Sequence, residues 1–60
     1  MKRAREVLRV RQLLAASLLL YDGYIQEGLG TEDERASAAV VITALLAEVI
    51  EGLQRELRGP

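Results

Sequence analysis

The residues in this chain that could do chemistry are few. Glu48 and Glu51 form an E-x-x-E at one-turn spacing, the arrangement that holds Mg²⁺ beside a substrate phosphate in some helical bundles. Such a site needs further inward carboxylates, and on a helical wheel these two fall on the polar side. Lys2, Arg5 and Arg9 share one helical face, as a phosphate-binding helix would place them. No aromatic residue lies among them to stack on a base, and Gln12 is the one amide close by to read one. Ser17 and Thr43 are isolated hydroxyls in apolar stretches. The chain has no His, and Lys2 is its only Lys, so neither hydroxyl has a base to activate it. Each is expected to bond back to a carbonyl one turn earlier or to meet a partner across an interface. Asp22 sits among apolar neighbours but falls near Gln26 and Arg11 on the wheel, a solvated position. No catalytic, cofactor-binding or metal-binding residue is assigned, and the chain is not expected to be an enzyme or to need a cofactor.

Composition points the same way. Sixty residues make one domain, residues 1–60, and a chain of this size buries only about 60% of the surface its unfolded form exposes. Disulfides, a structural metal or oligomerisation normally make up the shortfall. With neither Cys nor His, the first is excluded and the second loses its usual ligands. Half of the residues are apolar, yet the only aromatics are Tyr21 and Tyr24, so any core is built from Leu, Ile, Val and Ala. A formal net charge of −1 does not suit a protein made throughout for nucleic acid. The charge is unevenly spread, with five cations against Glu6 alone in residues 1–11.

That basic start followed by Leu13 to Tyr21 partly imitates a secretory signal, but Asp22-Gly23-Tyr24 stands where a small-x-small cleavage site belongs. The longest stretch without a charge, Ala36 to Ala47, falls short of the ~20 residues a bilayer needs. The chain reads as soluble, without a membrane partner, and cytoplasmic if it is a natural protein.

The strongest local signal is the hinge Gly28-Leu29-Gly30-Thr31-Glu32-Asp33-Glu34. Thr31 and Glu34 have the spacing of a capping box that starts a helix. Glu32, Asp33 and Glu34 complement the positive end of that helix dipole, and Arg55 and Arg58 complement its negative end. Gly28 suits the left-handed position that closes the preceding helix, with Leu29 folding back onto Tyr24. The reading is all-α: helix 1 at about 3–27, helix 2 at about 32–57, antiparallel because the link is so short. Basic residues at the start of helix 1 oppose its dipole, a conflict without a local explanation.

Apolar residues exceed what one hairpin hides. Val7, Val10, Leu14, Leu18, Tyr21 and Ile25 form the stripe expected to face helix 2, and Ala39, Ile42, Leu46, Val49, Leu53 and Leu57 the stripe expected to face helix 1. Leu13, Ala16, Leu20 and Tyr24 then remain as a second apolar face. Ala36, Val40, Val41, Ala44 and Ala47 form a seam of small residues on helix 2. These nine are the expected oligomer interface, since several Leu left together on a surface make the kind of patch that marks one. Two hairpins closing into a four-helix bundle is the simplest assembly, and larger rings bury two faces per helix equally well.

If positions whose numbers sum to about 59 lie level, Arg3 faces Glu56, Arg11 faces Glu48, and Glu51 comes near Leu8 and Arg9. Ion pairing is therefore the leading role of the basic run, and presenting it to nucleic acid or an acidic partner is the alternative. Gly23 lies level with Ala36, which points to close helix contact there, or else to a kink, and Gly52 lies level with Val7.

Together the capping box at Thr31 and Glu34, the punctuation at Gly28 and Gly30, the matched helices, the aliphatic packing and the lack of Cys, His, Phe and Trp resemble a computationally designed, self-assembling helical oligomer. The resemblance covers the whole chain and implies a cyclic homo-oligomer whose partner is itself, with no small molecule bound. Gly23 and the adverse charges on helix 1 depart from idealised practice.

Overall fold

The computed structural model describes residues 2–59, with side chains described from Ala4 onward. Helix α1 runs Lys2–Leu20, continues without a break into a π-helical turn at Tyr21–Gln26, and is followed by α2 at Glu32–Arg58. No strand occurs among the described residues. The two helices fold back on one another into a rod with extents of 44 × 14 × 13 Å.

The hinge forms by the local chemistry its residues carry. Thr31 N–H donates to Glu34 Oε1 at 2.7 Å, and Glu34 N–H donates to Thr31 Oγ1 at 3.1 Å, completing the capping box. Gly28 and Gly30 have φ of +71° and +79°, the left-handed region where a side chain is strained. The closing bond of the first helix is wider than usual. Leu29 N–H reaches the Gly23 carbonyl at 3.0 Å, six residues back, and Glu27 N–H reaches Asp22 at 3.0 Å, five back. Leu29 lies over Gly23: its Cδ1 is 3.7 Å from where a Gly23 Cβ would stand. Tyr24 covers Gly30, its Cε1 3.2 Å from that glycine's Cβ position. Arg35 adds a tie the sequence did not suggest, its guanidinium donating to the carbonyls of Gly28 at 3.2 Å and Gly30 at 2.7 Å.

This cap carries a pH dependence. The Thr31 backbone N–H, and then the Thr31 side chain, stabilise the ionised Glu34 carboxylate and hold its pKa below the ordinary 4.5, outweighing a small opposing effect of desolvation. A group depressed in the folded state stabilises fully above its unfolded pKa and loses that contribution as pH falls through the folded value. Helicity in the wild type is thus expected to fall more steeply than in Glu34→Gln on acidification below about 4.5, where the amide keeps the cap without titrating. Thr31→Ala should cost about 0.5–2 kcal/mol at neutral pH. Parallel acid curves for wild type and Glu34→Gln by circular dichroism would remove Glu34 from this account.

The line along which the helices meet differs from the expected one. Along α1 and the π turn, the covered positions Glu6, Val10, Leu13, Ser17, Leu20 and Tyr24 are spaced 4-3-4-3-4, with Ala16 and Gly23 partly covered beside them. On α2 the line Arg35, Ala38, Ile42, Leu45, Val49, Gly52 and Glu56 is spaced 3-4-3-4-3-4, with Glu48 partly covered beside it. Of the stripes expected to form the core, Val10, Ile42 and Val49 do so, while Val7, Leu14, Leu18, Tyr21, Ile25, Leu46, Leu53 and Leu57 are exposed; Ala39 is exposed as well. The reason is steric. Two helices alone bury only a narrow line, and small residues at points along it let the backbones approach. Ser17, Ala38 and Gly52 occupy it, all buried, and the larger side chains are displaced to the flanks.

Candidate functional site: an exposed apolar face

Val7, Leu14, Leu18, Tyr21 and Ile25 follow one another at 7, 4, 3 and 4 residues along the first helix. On α2, Ala39, Leu46, Ile50, Leu53 and Leu57 repeat the same spacing, and every one of the ten is exposed. Both stripes lie on one flank of the hairpin. Val7 and Leu14 from α1 and Leu53 from α2 line a single shallow groove floored by Val10 and Val49, with Arg11 and Glu56 at its margin. The result is a broad aliphatic face two helices wide and nearly the length of the molecule. Its polar groups are the Tyr21 hydroxyl, Arg11 at the groove margin and Thr43 between Ala39 and Leu46.

The nine residues that the sequence marks as an interface are placed as follows. Leu13, Ala16, Leu20 and Tyr24 are partly covered and sit on or beside the line facing α2. Leu20, Tyr24 and Val41 come together with Ser37 and Ala38 in a second groove on the other flank, near the hinge. Ala36, Val40, Ala44 and Ala47 are exposed on the outer side of α2, as the seam pattern implied. The larger face of Val7, Leu18 and Leu53 was missed as an outward surface because its own regular spacing made it look like the hairpin core.

Arg9, Arg55, Glu6, Glu48 and Glu51 are engaged in ion pairs. Arg9 donates to Glu48 at 2.6 Å across the hairpin, so Glu48 meets Arg9 where the fold-back rule paired it with Arg11. Arg55 bridges Glu6 at 3.4 Å and Glu51, one turn away on its own helix, at 3.5 Å. Both carboxylates of the E-x-x-E thus lie against guanidinium groups. No cluster of acidic residues suited to a metal occurs among the described residues. Arg5 is exposed, whereas the side chains of Lys2 and Arg3, and with them the expected pairing of Arg3 with Glu56, lie outside the described residues. Glu56 itself is partly covered.

Ser17 and Thr43 behave as isolated hydroxyls in helices do. Ser17 Oγ donates to the Leu14 carbonyl at 2.8 Å and Thr43 Oγ1 to the Ala39 carbonyl at 2.9 Å. Gly23 makes no close crossing; its nearest neighbour is Leu29, and it marks the π turn. The close crossing is at Gly52, where an added Cβ would stand 2.5 Å from Val10 Cγ2.

By length and composition α2 is apolar enough to cross a bilayer, which its charge-free run alone did not indicate. Any span of about 20 residues centred on that run takes in Glu48 and Glu51. Glu48 would carry Arg9 with it.

No protein-family model matches the chain, and neither a curated protein nor a solved structure matches it significantly.

Proposed function

We propose that this chain is a structural protein whose activity is self-association into a homo-oligomeric helical bundle, without catalysis. One observation carries the reading. The folded hairpin exposes 4821 Å², whereas a compact monomer of 6.6 kDa exposes about 3,900 Å². The excess is about 900 Å², close to the roughly 800 Å² per partner that a standard protein interface buries. The excess is apolar where the two stripes lie side by side, and a patch of that extent on a water-exposed surface marks an interaction site. The buried core of Val10, Ala38 and Val49 is too small to hold a 60-residue chain folded by itself.

A bilayer would also cover α2, but it would take Glu48, Glu51 and Arg9 into hydrocarbon, which is costly. Self-association leaves all three in water. The alternative of a basic helix offered to nucleic acid is weakened by the same ion pair, since Arg9 is held by Glu48 at 2.6 Å. A designed origin accounts for the capping box and for the 3-4 spacing of both inward lines; it leaves the π turn at Tyr21–Gln26 and the basic start of helix 1 without an account.

If folding is linked to association, the thermal midpoint depends on protein concentration. It is expected to rise with each tenfold increase in concentration, by circular dichroism. A midpoint independent of concentration would remove the linkage.

A further inference from the structure

The two ends of the hairpin carry opposite charge. Residues 2–11 and 48–59, which meet at the open end, hold seven cations (Lys2, Arg3, Arg5, Arg9, Arg11, Arg55, Arg58) and four anions. Residues 12–47, the middle and hinge, hold five anions (Asp22, Glu27, Glu32, Asp33, Glu34) against Arg35 alone. The rod is therefore electrically polar along its 44 Å length, while its apolar flank runs from one end to the other.

We infer that the face of Val7, Leu14, Leu18, Leu46, Leu53 and Leu57 is covered by a second copy of this chain lying antiparallel, its acidic hinge end over the basic open end of the first. The inference rests on the self-association proposed above and adds the face, the partner and the orientation. A two-fold interface presents the same patch from both subunits, so charge decides between the two ways of stacking such faces. Parallel stacking sets five hinge anions beside five more and the basic ends beside each other. Antiparallel stacking sets each end against its opposite, and like charges placed together are what an interface uses to reject a wrong partner orientation.

Stripe spacing agrees. On α1 the run Val7, Arg11, Leu14, Leu18, Tyr21, Ile25 reads 4-3-4-3-4 from either end, and on α2 the run Ala39, Thr43, Leu46, Ile50, Leu53, Leu57 does the same. A patch with such symmetry can lie on a reversed copy of itself. Rotation about an axis across the rod brings α1 over α1 of the partner and α2 over α2, each pair antiparallel, in a four-helix bundle.

The test uses the full chain, which has no cysteine to compete. Gln26→Cys places a spin label at the hinge end, off the apolar face and exposed. In an antiparallel dimer the two labels stand about 35 Å apart along the rod, twice the rise from its middle to residue 26. In a parallel dimer they lie within about 25 Å of each other, since both sit at one end. A dipolar separation near the longer distance supports the inference. The shorter distance in a sample whose mass is that of two chains overturns the orientation and leaves self-association standing. Absence of dipolar coupling in a sample whose mass is that of one chain overturns self-association itself and the orientation with it.

Discussion

Leu18→Glu is expected to convert the assembly into single chains, whereas Leu19→Glu should leave its mass unchanged. The two residues are neighbours of the same type on the same helix, 59% and 75% exposed, so helix propensity and solvent access do not separate them. What separates them is the face. Leu18 stands in the stripe that adjoins Leu14 and Tyr21, while Leu19 is turned about a quarter of the wheel away. If a second copy covers the stripe, each subunit loses the burial of one Leu, about 1.5–3 kcal/mol, and places a carboxylate where no partner is provided. Two-fold symmetry doubles the loss, which weakens association by roughly two to four orders of magnitude. Sedimentation equilibrium on both variants decides the matter. Dissociation of Leu19→Glu with retention of Leu18→Glu would move the interface to the opposite side of the hairpin. Leu20 is a poorer probe, because it lies beside the line where the helices of one hairpin meet.

Gly52→Ala should destabilise the protein even though alanine is the better helix former. Replacing a helical glycine normally gains about 1 kcal/mol. Here the new methyl would stand 2.5 Å from Val10 Cγ2. Val10 is buried and β-branched, with little rotamer freedom to move aside, so the helices themselves must part. Overpacking of this kind costs about 1–3 kcal/mol, leaving a net loss of up to about 2 kcal/mol. Parting the helices also strains the Arg55–Glu6 bridge at the same end. Adding Val10→Ala to Gly52→Ala should recover part of the loss, since it removes the methyl that obstructs. A double-mutant cycle by urea denaturation measures that coupling; strict additivity, or a stabilised Gly52→Ala, would contradict a close crossing at this level.

Features set by local chemistry were readable from the chain. The capping box at Thr31 and Glu34, the left-handed Gly28 and the back-bonded hydroxyls of Ser17 and Thr43 each depend on neighbours within a turn or two. The helix bounds followed from those signals, with α2 reaching Arg58. Which face of each helix turns inward was not readable, because it is settled by how closely two backbones approach and not by which stripe is greasier. Ser17, Ala38 and Gly52 win the central line because they are small. The ion-pair register was readable to within a turn: Arg9 takes Glu48 because a guanidinium on a long stem reaches along the rod as well as across it. The π turn had one visible sign, Gly23, whose wide closing bond from Leu29 depends on a hinge geometry that spacing alone does not fix. For the outward surface, the amount of apolar area was legible, and its placement was not.

Mass in solution tests the account most directly. Light scattering across a range of concentrations is predicted to give at least twice the 6.6 kDa of one chain wherever the protein is helical, with helicity lost together with the assembly on dilution. A helical species of 6.6 kDa persisting at the lowest concentrations, with Leu18 and Leu53 open to water, would contradict it.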